Sequence, residues 1–233
     1  MRNIFKAFFF LSSALILLSG TSCYFFFPYQ TETFEQTYNA LEVKNLSINN
    51  VTGNITVLGG AGTEISVKAV KKSWFGSELE NVEIMVTEGD DFRIESLYPA
   101  MKSTNVSVDY TIIVPYDLSV KVTNVTGSVY VDSIEAMESI TTITGDISVL
   151  NCERVTKIMT TTGNIDVDVV YLDKDAKISS MTGSIKARIK PGINATLNTS
   201  VMTGKCTIEG AVPYGTHSID ISVMTGNITV SSL

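Results

Sequence analysis

Four aspartates fall within ten residues, Asp166, Asp168, Asp173 and Asp175. Acids so placed could serve as general acid and base on a glycosidic bond, or hold calcium for polysaccharide cleavage. Both chemistries need the carboxylates to converge on one face. Aligned on the repeat described below, the column carrying Asp166 reads Thr56, Tyr130, Ser148, Asp166, Lys186, Thr207 and Thr229. It holds a single acid beside a lysine, the pattern of a solvated face rather than a cleft. The one histidine, His217, lies in a Pro213–His217 loop and has no partner for a zinc site or a triad. Cys206 takes a slot filled by Ile55, Val129, Ile147, Ile165, Ile185 and Ile228 in other copies of the repeat, so it reads as a small core residue. Cys152 stands two to three repeats away, about 10–14 Å at sheet spacing, too far for a disulfide. The expectation is a non-enzymatic chain without metal or cofactor.

Two further features suggest contact rather than catalysis. Lys71-Lys72-Ser73-Trp74-Phe75-Gly76 is a basic and aromatic patch with the only tryptophan, expected at a hairpin tip. Lys71, Lys72, Trp74 and Phe75 are therefore candidate contacts for lipid, glycan or protein, against the plainer reading that Trp74 folds back on its own hairpin. A ladder of threonines invites comparison with ice-binding arrays, which need two regular outward columns. The second column expected to face outward runs Asn50, Asn124, Thr142, Thr160, Ser180, Val201, Val223 and decays into valine.

These residues are placed by a recurring phrase, Thr-Gly-x-[Ile/Val]-x-[Val/Ala/Ile]. It occurs at Thr52-Gly53, Thr126-Gly127, Thr144-Gly145, Thr162-Gly163, Thr182-Gly183, Thr203-Gly204 and Thr225-Gly226. From Gly127 on the glycines are 18, 18, 20, 21 and 22 residues apart. A period near twenty marks a repeat fold. Each phrase joins two short runs of alternating apolar and polar residues rich in Thr, Val and Ile, so a rung reads as strand, Thr-Gly corner, strand. Neither the leucines of a leucine-rich repeat nor a helical repeat is present. What remains is an all-β chain coiled into a β-solenoid. Its glycines supply positive φ at the corners, and its threonines form an in-register ladder. Five steps from Gly127 to Gly226 would rise about 24 Å.

Before the regular part, Leu46–Val57 reads as a first rung with Ile48, Val51, Ile55 and Val57 inward. Residues 41–114 hold longer, less regular strands, about four rungs' worth with projecting hairpins, one turning at Gly89-Asp90-Asp91. Regular rungs occupy 115–233. Residues 23–40 read as a linker in which Gln30–Tyr38 is a spacer.

At the start, Arg2 and Lys6 precede an apolar stretch from Ala7 to Leu18, and Gly20-Thr21-Ser22 precedes Cys23. Residues 1–22 therefore read as a signal peptide with Cys23 as the lipidated residue, or as an uncleaved membrane anchor helix running to Phe27; a freely secreted product is the third reading. Loss of residues 1–22 removes Arg2 and Lys6 and no acids, leaving 15 basic and 24 acidic residues and a net charge of −9. Such a chain is a poor partner for nucleic acid. Eight Asn-x-Ser/Thr sequons, at Asn45, Asn50, Asn54, Asn105, Asn124, Asn194, Asn198 and Asn227, are expected from composition in an Asn- and Thr-rich chain.

Val-Asp-Tyr-Thr-Ile-Ile-Val-Pro at 108–115, then Leu-Ser-Val-Lys-Val and successive Thr-Gly phrases, resembles the adhesin-like family of unknown function called the toastrack domain. The resemblance spans roughly 41–233. It implies a single-stranded right-handed parallel β-helix in prokaryotic envelope proteins, some linked to envelope stress, with no catalytic residues to carry over. Together these features predict a membrane-tethered, extracytoplasmic adhesin-like or envelope-sensing module. The alternatives are a stalk or spacer for a surface assembly and, further off, a polysaccharide-active enzyme. The expected partners are the membrane through the N-terminus, an envelope glycan or protein, and a second copy through an uncapped C-terminal rung.

Overall fold

A computed structural model describes residues 29–99, 105–210 and 214–233. The expected signal or anchor with Cys23 lies outside the described residues. The strands in chain order are β1 (Gln30–Asn39), β2 (Asn45–Thr52), β3 (Ile55–Gly60), β4 (Glu64–Ser73), then after a 3-10 turn (Gly76–Asn81) β5 (Glu83–Thr87), β6 (Asp91–Leu97) and β7 (Ser107–Pro115). The regular part follows as β8 (Ser119–Thr126), β9 (Val129–Asp132), β10 (Ala136–Thr144), β11 (Ile147–Leu150), β12 (Arg154–Thr162), β13 (Ile165–Val169), β14 (Ala176–Thr182) and β15 (Ile185–Ile189). It ends with β16 (Ala195–Thr203), β17 (Cys206–Ile208), β18 (His217–Thr225) and β19 (Ile228–Ser232).

The described chain is all-β and forms two long mixed sheets. One runs β1-β4-β7-β3-β9-β11-β13-β15-β19-β17, the other β16-β18-β14-β12-β10-β8-β2-β6-β5. Each Thr-Gly phrase is the corner where the chain leaves one sheet for the other. Alternation dictates which side chains go inside: in β8, Val120 and Val122 are fully buried while Lys121 points to solvent. The core is a stack of Ile and Val, from Ile48 through Val122, Ile140, Ile158 and Ile178 to Ile221, none more than 1% exposed. Burying each such side chain contributes about 1.5–3 kcal/mol.

Several expectations are corrected here. Gln30–Asn39 is not a spacer but edge strand β1, paired antiparallel with β4 along its whole length. Residues 41–114 do not make four rungs. They make the first rung, one further coil (β6 and β7), and the antiparallel strands β4 and β5. The sheets are therefore mixed rather than uniformly parallel. Gly89-Asp90-Asp91 does turn between β5 and β6. Val51 faces out, 38% exposed, because the alternation that buries Leu46 and Ile48 continues to Asn50, which is 4% exposed.

The rungs do not stack in sequence order at either end. β18 lies between β14 and β16, and β19 between β15 and β17. Likewise β2 lies between β6 and β8, and β3 between β7 and β9. Gly127 and Gly226 are thus four steps apart, about 19 Å at sheet spacing. The last rung in sequence is enclosed, and the rung before it forms the end of both sheets.

Candidate functional site

The corner repeats in space with its register intact. Thr52, Thr126, Thr144, Thr162, Thr182, Thr225 and Thr203 pair in that order across seven strands. The amide of every corner glycine except Gly204, which is on the end rung, donates to the threonine carbonyl one rung on, as Gly127 to Thr144 at 2.8 Å and Gly145 to Thr162 at 2.9 Å. Two constraints make glycine obligatory. At Gly145 and Gly163 φ is +151° and +150°, a region costly for any residue with a Cβ. A Cβ there would also fall inside contact distance of the carbonyl oxygen of the glycine one rung back, Gly127 or Gly145.

Two polar ladders flank the corner. Outside, the residue after the glycine accepts the next rung's amide at several corners: Asn54 Oδ1 from Ser128 at 2.9 Å, Asp146 Oδ1 from Asn164 at 2.7 Å, Asn164 Oδ1 from Ser184 at 2.9 Å. Inside runs the column of Asn50, Asn124, Thr142, Thr160 and Ser180, which the sequence placed on the outer face; all five are buried. Asn124 Nδ2 donates to the carbonyls of Gly53 (2.9 Å) and Gly127 (3.0 Å), and Ser180 Oγ donates to that of Gly163 (2.9 Å). The signal was legible as small polar residues recurring three before the glycine at Gly53, Gly127, Gly145, Gly163 and Gly183. What hid it was the habit of assigning polar residues to the outside. Buried carbonyls need donors, and Asn50, Asn124, Thr160 and Ser180 supply them, while the Thr142 hydroxyl has no partner among the described residues. Asn50 and Asn124, both sequons, are therefore inside the protein.

Between the inner polar column and the exposed threonines, one residue per rung points outward. In spatial order these are Val51, Val125, Ile143, Thr161, Met181, Met224 and Met202. All but Thr161 are large apolar side chains between 36% and 75% exposed. The result is an apolar stripe alongside the threonine ladder, along the corner that joins the two sheets.

The other candidates are paired or placed elsewhere. Asp166 and Asp168 both meet Arg188, at 2.6 and 2.5 Å. Burial works against the Arg188 charge, but the hydrogen bond it donates to Asp168 and the field of Asp166 prevail and hold its pKa above the usual value. Asp173 lies 3.9 Å from Arg154, whose nearer partner is Glu135 at 2.6 Å, and Asp175 accepts the Ser218 amide at 2.7 Å. Among the described residues no three His, Cys, Asp or Glu side chains group as metal donors. His217 begins β18 rather than lying in a loop.

The patch around Trp74 is not a hairpin tip, because β4 and β5 belong to different sheets and a 3-10 turn joins them. Lys71 is buried, with Nζ 3.0 Å from Glu32 and 3.2 Å from the Leu79 carbonyl, and Lys72 meets Asp109 at 2.6 Å. Trp74 stacks on Tyr29 with ring centroids 3.9 Å apart, while Phe75 stays 62% exposed. Cys152 is buried, which pushes its thiol up to about 11. Cys206 is exposed rather than a core residue. Its slot faces inward as expected, but it sits on the end rung, where no further rung covers it.

No protein-family model matches the chain, and no curated protein matches it. Among solved structures, a candidate cell adhesion protein of Clostridium sporogenes is 13% identical, with a TM-score of 0.55 over 88% of this chain and 100% of that one. A candidate adhesin of Bacteroides fragilis is 12% identical, with a TM-score of 0.42 over 85% of this chain and 97% of that one. The first likeness establishes a shared fold.

Proposed function

We propose that this chain is a membrane-tethered, extracytoplasmic β-solenoid that acts by display and not by catalysis. The observation that carries the reading is the outward stripe of Val125, Ile143, Met181 and Met224 beside the exposed threonine ladder, held in register by the glycine–threonine backbone hydrogen bonds of the corner. Apolar surface arranged in a line on a stiff support suits contact with a glycan face or a protein strand. The fold shared with the Clostridium sporogenes protein supports an adhesin-like role. Tethering through Cys23 or an uncleaved helix rests on the sequence of residues 1–28, and the acidic surface is compatible with an envelope location.

The test uses full-length protein on lipid vesicles, offered to beads coated with envelope polysaccharide and to beads coated with envelope protein. The wild type should retain one of the two bead types. Ile143→Glu with Met181→Glu, both at exposed positions, should cut retention about tenfold with far-UV circular dichroism unchanged. Retention of neither bead, or equal retention by the variant, would defeat the reading.

A further inference from the structure

The outer rung, β16 with β17, differs from every rung beneath it. Each of its strands is hydrogen-bonded on one side only, β16 to β18 and β17 to β19. One rung in, Ile219, Ile221, Val223, Ile228 and Val230 are at most 3% exposed. The residues stacked on them, Leu197, Thr199, Val201, Cys206 and Ile208, are only half-buried or exposed, with Ile208 at 42%. A cleft of about 390 Å³ opens here between Ile193, Leu197, Ile208 and Tyr214. Neither strand carries a charged residue, whereas the edge strands at the other end carry Glu32, Glu35 and Glu83. Bare edges over an open core are pairing sites unless charge or a covering segment blocks them.

We propose that this end binds the same end of a second copy, about a two-fold axis perpendicular to the stack, and that the contact joins two apposed membranes. A single peptide strand could extend one sheet but would leave the other edge bare. A second copy offers both edges at the same inter-sheet spacing of about 10 Å, so both sheets continue and both open cores close together. The strand sequence is self-complementary in this arrangement. With the axis at Thr199, Leu197 lies opposite Val201 of the other copy and Asn198 opposite Ser200, so inward residues meet inward residues. Antiparallel pairing requires that agreement. Cys206 Sγ lies 3.5 Å from Thr199 Oγ1, so the axis also brings the two Cys206 side chains together.

β1, the first described strand, is an edge strand at the opposite end. The two first described strands therefore lie at opposite ends of the dimer. The ten strands from β1 to β17 span about 43 Å, so two copies end to end hold surfaces about 90 Å apart. The bridging step rests on the tethering in the functional reading above; the dimer contact does not.

Two arms separate these claims. In detergent, full-length Cys23→Ala protein is examined by sedimentation velocity and by a short bismaleimide, with Cys206 the accessible thiol because Cys152 is buried. A dimer cross-linked through Cys206 is expected. Val201→Lys should abolish it, and Ser200→Lys, at an exposed position that leaves the fold intact, should weaken it at least about tenfold by setting the two lysines diagonally across the edge. A monomer, a dimer that does not cross-link through Cys206, or a folded Ser200→Lys protein that dimerises normally overturns the contact. In the second arm, vesicles bearing the unmodified chain should cluster with one another and not with vesicles bearing Ser200→Lys. Protein that floats with vesicles and dimerises in detergent yet clusters nothing overturns the bridging. Protein that does not float at all refutes the tether, and the cross-linked dimer then still upholds the contact.

Discussion

The two ends of the molecule solve one problem in opposite ways. At the N-terminal end the 3-10 turn packs against β1 and β4 and buries Leu79, while Phe92, Tyr38 and Tyr110 fill the last layers. Tyr38 meets Phe92 edge-on at 5.1 Å, and the Tyr110 hydroxyl is 2.6 Å from Ser96 Oγ. The edge strands there are antiparallel additions carrying glutamates. At the C-terminal end the stack stops on β16 and β17, with aliphatic slots half open. A repeated rung supplies its own neighbour everywhere but at its last copy. Closing that copy takes either new chain, as at the first end, or another molecule.

The largest test of the shared corner is Gly163→Ala, in the closed middle. It adds a Cβ against the Gly145 carbonyl at a φ of +150°. The expected loss is more than about 4 kcal/mol, or failure to fold, read by urea denaturation. A loss near 1 kcal/mol would mean that the corner relaxes and is not what fixes the register.

A matched pair of truncations sharpens the contrast. Ile158→Ala, in a fully buried slot, should cost about 3–5 kcal/mol, and Leu197→Ala, at the open end, about 1 kcal/mol or less under monomeric conditions. If the two costs are equal, the open end is covered in solution.

The smallest effect separates the ends by pH. Burial pushes the Tyr38 and Tyr98 hydroxyls up to about 12, and raises that of Tyr110 as well. A raised folded-state pKa on an acid contributes stability that is complete below the unfolded value, near 10, and is lost as pH rises through the folded value. The N-terminal end should therefore loosen between about pH 10 and 12. Trp74, the only tryptophan and located at that end, should change its emission before the far-UV signal falls, and Tyr110→Phe should flatten that change. Simultaneous loss of both signals would show that the ends unfold as one unit.

Much of this was legible along the chain. The Thr-Gly phrase located all seven corners, because the requirement for glycine at positive φ is local and recurs with the rung. The alternation identified Ile48, Ile55 and Val57 as core. It failed at Val51 and at the Asn124 column because composition was read in place of register: the pleat sends every second residue inward whether or not it is polar. The Lys71 and Trp74 patch was misplaced for another reason. Its surroundings come from β1 and the 3-10 turn, and nothing in those six residues encodes them.

Sequence by itself determined the period, the corner and the alternation, since each follows from backbone preferences within a few residues. Only the tertiary structure decided which rung lies on which. All seven rungs carry nearly the same phrase, so each can pair with any other, and pairing preference does not order them. The connections do: the glycine spacing of 18 stacks successive rungs, whereas the spacings of 21 and 22 accompany a chain that steps past a place and returns to fill it. That choice left Cys206, Leu197 and Val201 at an open end and enclosed the chain's last strand.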